Sequence, residues 1–290
     1  MKKSILITGS SAGVGKATAE LCAKLGHSVY ASMRDLKKGA PLKTWAESKG
    51  YELELVEMDV TDDQSVKAGI HSVIKKEDKL DVFVNNAGIV ALGSLEDTEF
   101  EITQNVFDTN YFGALRCLKE IVPHFRENGA GTIVFISSQS GILAQAGLGS
   151  YCASKWALEC LAETTSLELA PFGAEVFILE PGGIMSPLQQ EVEPFPCNTP
   201  YQQVYERFMQ WNAIDYQQCS IPEDVAQYII AAIDGKQKKL RQPIDFAGKN
   251  IDWRGSLSDE EWRELYAETD QNKWIKIWLS HGGVDLSEVQ

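Results

Sequence analysis

A tyrosine and a lysine four positions apart could together carry out acid–base chemistry. Tyr151 and Lys155 are separated by one helical turn, so their side chains share one face of a predicted helix. A free tyrosine has a pKa of about 10, and a nearby ammonium group favours the phenolate. We therefore expect Lys155 to lower the pKa of Tyr151 and make it a better proton donor and acceptor. The alternative interpretation is an unrelated pair of surface residues.

The surrounding elements bring other polar groups to the same region. Ser138 ends the apolar run 132–138, and Tyr151 begins the helix that follows. The segments Asn85–Gly88 and Pro181–Gly183 follow two further apolar runs. Because the carboxyl ends of parallel strands meet at one edge of an open α/β sheet, where ligands bind, these groups should lie close together.

The alternation of short apolar runs with amphipathic segments predicts the fold. The runs are 5–8, 29–32, 53–58, 82–85, 132–137 and 175–179. Runs that are apolar on both faces are typical of parallel strands covered by helices. The pattern predicts an α/β fold, a doubly wound, Rossmann-type parallel sheet with helices on both faces. We expect one dinucleotide-binding and catalytic domain at 1–240, with a substrate lid at 182–220, and a helical C-terminal extension at 241–290 packed on it.

A glycine-rich turn follows the first predicted strand and begins the first predicted helix. Gly9 permits a tight turn, Gly13 lets phosphates approach, and Gly15 lets the helix pack closely on the strand. Free N–H groups at the helix start can then bind a pyrophosphate. The same turn matches the G-x-S-x-G elbow of serine hydrolases, with Ser11 as nucleophile and His281 as its only late histidine. That elbow follows a mid-sheet strand, whereas only eight residues precede Gly9, so nucleotide binding is favoured.

Composition excludes several classes of partner. The 290 residues contain 27 Lys and Arg against 41 Asp and Glu, a net charge of −14, which repels nucleic acids and anionic lipids. The apolar runs are far shorter than the roughly 18 residues that span a bilayer, and the start lacks an export signal. The six cysteines show no metal-binding spacing, so we expect no metal site and a reducing, cytoplasmic location.

Taken together, the motifs resemble the short-chain dehydrogenase/reductase family over residues 1 to about 235. They are Thr8-Gly9-x-x-x-Gly13-x-Gly15, Asn85-Asn86-Ala87-Gly88, Ser138 thirteen residues before Tyr151, Tyr-x-x-x-Lys, and Pro181-Gly182. The stretch 29–35 and the extended tail are similar to the hydroxysteroid-dehydrogenase-like members. The resemblance implies Tyr151 as the general acid/base and Ser138 as a donor to the substrate oxygen. It also implies that Asn110 holds a water linking Lys155 to solvent. Ser137 is the alternative to Ser138, and an ordinary helix-surface residue is the alternative for Asn110.

The resemblance also implies a nucleotide site. Its residues would be Gly9, Ser11, Gly13, Val14, Gly15, Arg34, Asp59, Val60, Asn86, Ala87, Gly88, Tyr151, Lys155, Pro181, Gly182, Ile184 and Ser186. NAD binders usually carry an acidic residue at the end of the second strand, to accept from the ribose 2′-hydroxyl. Here Met33 occupies that position and Arg34 follows it, which suits a 2′-phosphate. NADP(H) is favoured as cofactor, and NAD(H) remains possible.

These residues predict NADPH-dependent reduction of a medium-sized apolar ketone or aldehyde to the alcohol, in a reversible reaction. Aromatic residues at 201, 205, 208 and 211 would line the apolar pocket or, alternatively, pack in the core. A non-catalytic NADP-binding sensor and a hydrolase using Ser11 are the other hypotheses. In the family, helices at 98–126 and 149–171 commonly pair between subunits, so we expect a homodimer or homotetramer. We expect a small-molecule carbonyl or alcohol substrate, and neither nucleic acid nor membrane as partner.

Overall fold

Seven parallel strands form one sheet at the centre of the protein. The computed structural model describes residues 1–185, 199–217 and 219–280, with the main chain alone at 212–217. The strands are β1 (Ser4–Ile7), β2 (Ser28–Met33), β3 (Leu53–Glu57), β4 (Val82–Asn85), β5 (Gly131–Ile136), β6 (Ala174–Pro181) and β7 (Arg241–Ile244). Their order across the sheet is β3-β2-β1-β4-β5-β6-β7. The order reverses between β1 and β4, which is where sheets of this kind bind ligands.

Helices cover both faces of the sheet. They are α1 (Gly13–Lys24), α2 (Leu36–Lys49), α3 (Asp63–Glu77), α4 (Phe100–Phe107), α5 (Gly113–Asn128), α6 (Gly149–Leu169), α7 (Gln202–Gln217), α8 (Pro222–Ile233), α9 (Phe246–Ser256), α10 (Asp259–Ala267) and α11 (Gln271–Ser280). Residues of α1, α2 and α8 pack on one face, and residues of α3, α5 and α6 pack on the other. Across the described parts of the chain, no helix has both the length and the apolar character that a bilayer span requires.

The alternation of side chains along each strand explains why the strands are apolar throughout. In β1, Ile5 and Ile7 join the core under α1 and α8, whereas Leu6 points to the opposite core under α3 and α5. All three side chains are completely buried. The sequence prediction of a doubly wound parallel sheet is confirmed, with all six predicted strands present.

A seventh strand was missed from the sequence. Strand β7 pairs with β6 from Ile178↔Arg241 to Pro181↔Ile244. Its sequence, Arg-Gln-Pro-Ile, contains a single large apolar residue, because β7 is an edge strand whose outer side needs no partner. The proposed extension 241–290 therefore begins inside the sheet, and the segment outside the sheet starts with α9.

Helices α9, α10 and α11 pack against α7 through aromatic side chains. We call this group the tail cluster; its buried members are Leu143, Trp211, Leu265, Trp274 and Trp278. Trp211 comes from α7, inside the segment predicted as a lid, so the tail and the lid share one apolar core. The Arg207 guanidinium, also on α7, stacks over the Trp274 ring at 4.7 Å from its centroid.

Candidate active site

The serine and the tyrosine predicted to do chemistry meet at the carboxyl end of β5. Ser138 follows the strand, and Tyr151 lies in the first turn of α6. The Ser138 hydroxyl hydrogen-bonds the Tyr151 phenol and also accepts from the Ser140 N–H at 3.1 Å. Ser137, the alternative, faces Glu159 instead. The structure thus brings Ser138, not Ser137, against the tyrosine.

Lys155 lies under the tyrosine on the same face of α6. Its amine donates to the Ile136 carbonyl at 3.0 Å and lies 5.7 Å from the centroid of the Tyr151 ring. Only 5% of the residue is exposed, and burial lowers the pKa of Lys155 to about 8. The amine is held rigidly at the floor of the site, and its charge is sensitive to its surroundings near neutral pH.

The prediction that the pKa of Tyr151 lies below its usual value is wrong for the protein chain without a bound nucleotide. Burial raises the pKa of Tyr151 to about 12, and the hydrogen bond with Ser138 offsets part of that increase. Lys155 lies near the ring of Tyr151, and its own ammonium form is disfavoured by the same burial. The phenol therefore keeps its proton at neutral pH.

Asn110 sits in a five-residue π-helical turn, Asp108–Phe112, between α4 and α5. Its side-chain N–H groups donate to the Ile89 carbonyl at 2.9 Å and to the Ser154 hydroxyl at 3.0 Å, while its oxygen accepts from the Ile89 N–H at 2.8 Å. Being 1% exposed, it is not the surface residue of the alternative interpretation. Asn110 fixes the segment after β4 to α6 one residue before Lys155, and π-turns of this kind often occur at functional sites.

The glycine turn fits tightly against the end of β4. The backbone φ of Gly9 is +67°, and a Cβ there would lie 2.9 Å from the Ala87 Cα. A Cβ on Gly15 would lie 2.5 Å from the Gly9 carbonyl oxygen. The Asn86 amide donates to the carbonyls of Thr8 and Gly9 at 2.8 and 3.1 Å, which fixes the turn. The roles predicted for Gly9 and Gly15 match this packing.

The start of α1 has the features of an anion site. Its N-cap residue, Ala12, makes no side-chain cap, and the first turn contains no acidic residue, within the described structure. Gly13, at φ +55°, and the buried Val14 begin the helix, and Ser11 is half-buried beside it. Unpaired N–H groups at a helix start bind phosphates, so this turn fits the pyrophosphate of a dinucleotide.

The end of β2 holds the residues on which a preference for NAD or NADP would depend. Met33 is 4% exposed and packs against α2, where a Cβ on Gly39 would lie 2.6 Å from its sulfur. Arg34 is exposed at the rim. Asp35 accepts from the Lys37 N–H at 2.9 Å and caps α2, so its carboxylate is already engaged. The rim thus presents an exposed guanidinium next to the position where an NAD binder would present a carboxylate.

The remaining predicted nucleotide residues are placed along the same edge. Asp59 accepts from the Thr61 N–H and hydroxyl at 3.0 and 2.8 Å, and Val60 is buried. Pro181 ends β6, and Ile184 forms an isolated bridge with Ser220. Gly88 lies close to Lys155, since a Cβ there would be 3.6 Å from the amine, and Gly182 lies beside Gln139. Ser186 lies outside the described residues.

A buried apolar cluster adjoins the tyrosine. Phe208 of α7 packs with Leu148 and Cys152, and Val90, Leu92 and Tyr151 border the group. Of the predicted aromatic stripe, Phe208 faces the site, whereas Tyr205 bonds to the Ser94 N–H at 2.7 Å and Trp211 joins the tail cluster. The stripe therefore serves core packing, and Phe208 alone of these three reaches the cluster that borders Tyr151.

Sequence reasoning missed a group of charged residues behind the site. Glu159 and Glu180 are 4% and 2% exposed, and both face Arg241 of β7. The detectable signal was Glu180, a carboxylate that directly follows the four apolar residues 176–179 of β6.

The hydrolase interpretation finds no support in the described part of the chain. Its three histidines, His27, His71 and His124, bond to Lys3, Glu120 and Leu80. His281 lies outside the described residues, as does any contact it makes. Among the residues that the structure describes, no group of three or more His, Cys, Asp or Glu could hold a metal ion.

Comparisons with known proteins identify the family of the chain. The family model described as short chain dehydrogenase matches residues 3–196. Human retinol dehydrogenase 8 is 33% identical over 277 residues, covering 88% of this chain and 87% of the relative. Human 17-beta-hydroxysteroid dehydrogenase type 1 is 31% identical over 252 residues, covering 82% and 76%. A short-chain dehydrogenase structure from Streptomyces avermitilis has a TM-score of 0.78 at 31% identity, covering 93% of this chain and 100% of that one.

A doubly wound sheet with a glycine turn, a tyrosine above a buried lysine and a serine at one edge defines a nucleotide-dependent oxidoreductase. The chain belongs to the short-chain dehydrogenase/reductase family. It is an oxidoreductase that acts on CH–OH or C=O groups of a small molecule, with NAD(P) as the cofactor. A solved relative, ElxO with NADP bound, has a TM-score of 0.72 at 28% identity, covering 84% of this chain and 98% of that one.

Proposed function

We propose that the protein reduces a medium-sized apolar ketone or aldehyde to its alcohol with NADPH, reversibly. The observation that carries the proposal is the hydrogen bond between Ser138 and Tyr151 directly above the buried Lys155. The reductive direction is supported by the Tyr151 phenol, whose pKa of about 12 keeps it protonated at neutral pH.

Each side chain has a defined task in this reaction. The Ser138 hydroxyl donates to the substrate oxygen and stabilises the negative charge that develops there. Tyr151 gives its proton to the same oxygen as it becomes a hydroxyl. The Lys155 ammonium stabilises the phenolate that remains, and Asn110 holds the adjoining segment in position. The bound nucleotide supplies the hydride.

The chain's own residues define how the nucleotide would be held. The glycine turn and the start of α1 would hold the pyrophosphate, and Lys155 and the segment Asn86–Gly88 would lie along the nicotinamide side. Arg34, with Ser11 nearby, would bind the 2′-phosphate and favour NADPH over NADH. Pro181, Gly182, Ile184 and Ser186 would complete the site, and Asp59 with Val60 would border the adenine.

The apolar substrate class is supported by the wall beside Tyr151. Leu148, Cys152 and Phe208 form it without a charged side chain among them. The names of the relatives are consistent with it, because retinol dehydrogenase 8 and 17-beta-hydroxysteroid dehydrogenase type 1 are named for apolar alcohols. We propose retinoid-sized or steroid-sized ketones and aldehydes as the first substrates to test.

The test replaces Tyr151 by phenylalanine and follows NADPH oxidation with a panel of such carbonyl compounds. Loss of the proton donor should lower kcat by at least about 100-fold, with the NADPH Kd nearly unchanged. Tyr51→Phe, which removes a hydroxyl far from the site beside Trp45, is the matched control and should keep full activity. Wild-type protein that binds NADPH but reduces no compound in the panel would refute the proposal and favour the sensor hypothesis.

We further propose a cytoplasmic homodimer or homotetramer built on α4, α5 and α6. Large apolar side chains are exposed on α4 and α6, with Phe100 at 76% and Leu167 at 70%. Exposed apolar surface of this kind is typical of an interface between subunits. Sedimentation of the wild-type protein and of Leu167→Glu should show an assembled species that the substitution weakens.

A further inference from the structure

Four charged side chains meet directly behind the candidate active site. The Arg241 guanidinium on β7 contacts Glu159 at 3.0 Å and Glu163 at 2.7 Å, both on α6. Its Nε also lies 3.6 Å from the Glu180 carboxylate on β6. We call these four residues the acid–arginine cluster. It lies where the last strand of the sheet passes under the helix that carries Tyr151 and Lys155.

The carboxylates of the cluster differ sharply in exposure. The side chain of Glu159 is 5% exposed, whereas that of Glu163 is 49% exposed, although both bind the same guanidinium. Burying a charged carboxylate is costly unless a partner compensates it. Burial raises the pKa of Glu159, while Ser137, Arg241 and Lys155 act in the opposite direction. A buried acid in this position indicates a role other than stability, because an apolar residue would fill the space at a lower cost in free energy.

Glu159 also lies near Lys155, the buried lysine of the candidate active site. It follows Lys155 by one helical turn, and its charge raises the pKa of Lys155 against the effect of burial. Ser137, next to Ser138, faces the same carboxylate. A Cβ on Gly141 would lie 2.9 Å from the Glu159 Cγ and 3.2 Å from the Lys155 carbonyl oxygen, so the three are closely packed.

We propose that Glu159 is a positioning residue whose carboxylate, held by Arg241, keeps the Lys155 amine charged at the site. The inference rests on the proposed function, in which the Lys155 ammonium stabilises the Tyr151 phenolate. The neutral Ile136 carbonyl fixes where the amine lies, and Glu159 supplies the negative charge that favours its proton. Arg241 in turn keeps Glu159 ionised, so the cluster acts through Lys155 without touching the substrate.

Within the described structure, the charged and titratable groups near Lys155 and Glu159 come from α6, β6 and β7. Tyr151 and Glu159 adjoin Lys155 from α6. Arg241 on β7, Glu163 on α6 and Glu180 on β6 surround Glu159. Glu180 ionises only near pH 7, so above that pH it adds a second negative charge that competes for Arg241.

The test compares Glu159→Gln with Glu163→Gln, which removes the exposed partner of the same arginine. The first measurement is the titration of Lys155 by NMR of protein with ¹³C-labelled lysine, with the signal assigned through Lys155→Arg. In E159Q the pKa of Lys155 should fall from about 8 to about 7, because the negative charge of Glu159, which raises this pKa, is lost. In E163Q it should stay near 8.

The second measurement is the pH profile of kcat/KM for carbonyl reduction. At pH 8 the charged fraction of Lys155 would fall from about one half to about one tenth, so E159Q should lose about fivefold. At pH 6 the loss should be less than twofold, and E163Q should follow the wild type throughout. A loss in E159Q that is equal at all pH values would show a purely structural role and overturn the proposal.

The two proposals fail in different ways. An unchanged Lys155 titration in E159Q overturns the role of Glu159 and leaves the proposed function intact. A wild type that reduces no carbonyl overturns the proposed function, while the NMR titration, which needs no substrate, still reports on Glu159. If E159Q does not fold, Glu159→Asp retracts the charge by one methylene; it should lower the Lys155 pKa by an intermediate amount, and no change would overturn the proposal.

Discussion

Replacing Glu180 by glutamine removes one buried ionisation and keeps the size of the side chain. Burial, together with the nearby charge of Glu159, raises the pKa of Glu180 from its usual 4.5 to about 7, and Arg241 offsets only part of this effect. The side chain is 2% exposed, so solvent does little to screen it. Between these two pH values the folded protein holds a proton that the unfolded chain has lost.

The sign of the effect follows from this difference in bound protons. Because the folded state binds more protons than the unfolded state, the free energy of unfolding decreases as the pH rises from about 4.5 to about 7. One pKa unit corresponds to about 1.36 kcal/mol, which gives roughly 3 kcal/mol for the whole interval. Glu180→Gln lacks this loss, so its stability relative to the wild type should rise by about 2 to 3 kcal/mol between pH 5 and pH 8.

Urea unfolding of both proteins at several pH values measures this difference directly. Glu163→Gln is the control, since its exposed carboxylate contacts the same arginine and should give a difference that changes little with pH. If the difference between Glu180→Gln and the wild type stays constant from pH 5 to pH 8, Glu180 titrates as an ordinary glutamate and the reasoning is wrong.

Three further predictions concern the nucleotide site and the tail. Gly9→Ala should abolish NADPH binding and lower the melting temperature, because the new Cβ would meet the backbone of Ala87 at 2.9 Å with φ at +67°; wild-type titration behaviour would contradict the tight turn. Arg34→Ala should raise the NADPH Kd by about tenfold or more and leave the NADH Kd within about twofold, as measured by fluorescence titration. Trp278→Ala, at a site 3% exposed, should cost about 3 to 5 kcal/mol in urea unfolding, and a loss below about 1 kcal/mol would show that the tail contributes little stability.

The fold was predictable where hydrophobicity alone decides the structure. The central strands are apolar on both faces because helices cover both faces, and this pattern is visible without a structure. β7 escaped detection because it is stabilised by pairing with β6 and not by its own polar residues, Arg241 and Gln242. Strand pairing is a property of two segments far apart in the chain, and no local sequence pattern indicates it.

The residues of the site were predictable, but their protonation was not. The rule that ligands bind at the carboxyl ends of parallel strands places Ser138 and Tyr151 together from the sequence alone. Whether Tyr151 titrates above or below its usual pKa depends on how deeply the folded chain buries it, and burial outweighs the hydrogen bond with Ser138. The contact between Glu159 and Arg241 likewise joins residues 82 positions apart and has no sequence signature.

The tail cluster gives the protein an optical signature. Trp211, Trp253, Trp274 and Trp278 form a chain of rings whose neighbouring centroids are 4.7 to 6.2 Å apart. Indole rings this close couple electronically and produce paired bands of opposite sign in circular dichroism, which separated tryptophans do not. Because Trp211 belongs to α7 and the others belong to the tail, the intensity of these bands reports whether the two segments are docked. The packing of α7 against the tail can therefore be followed in solution by circular dichroism, with no label attached.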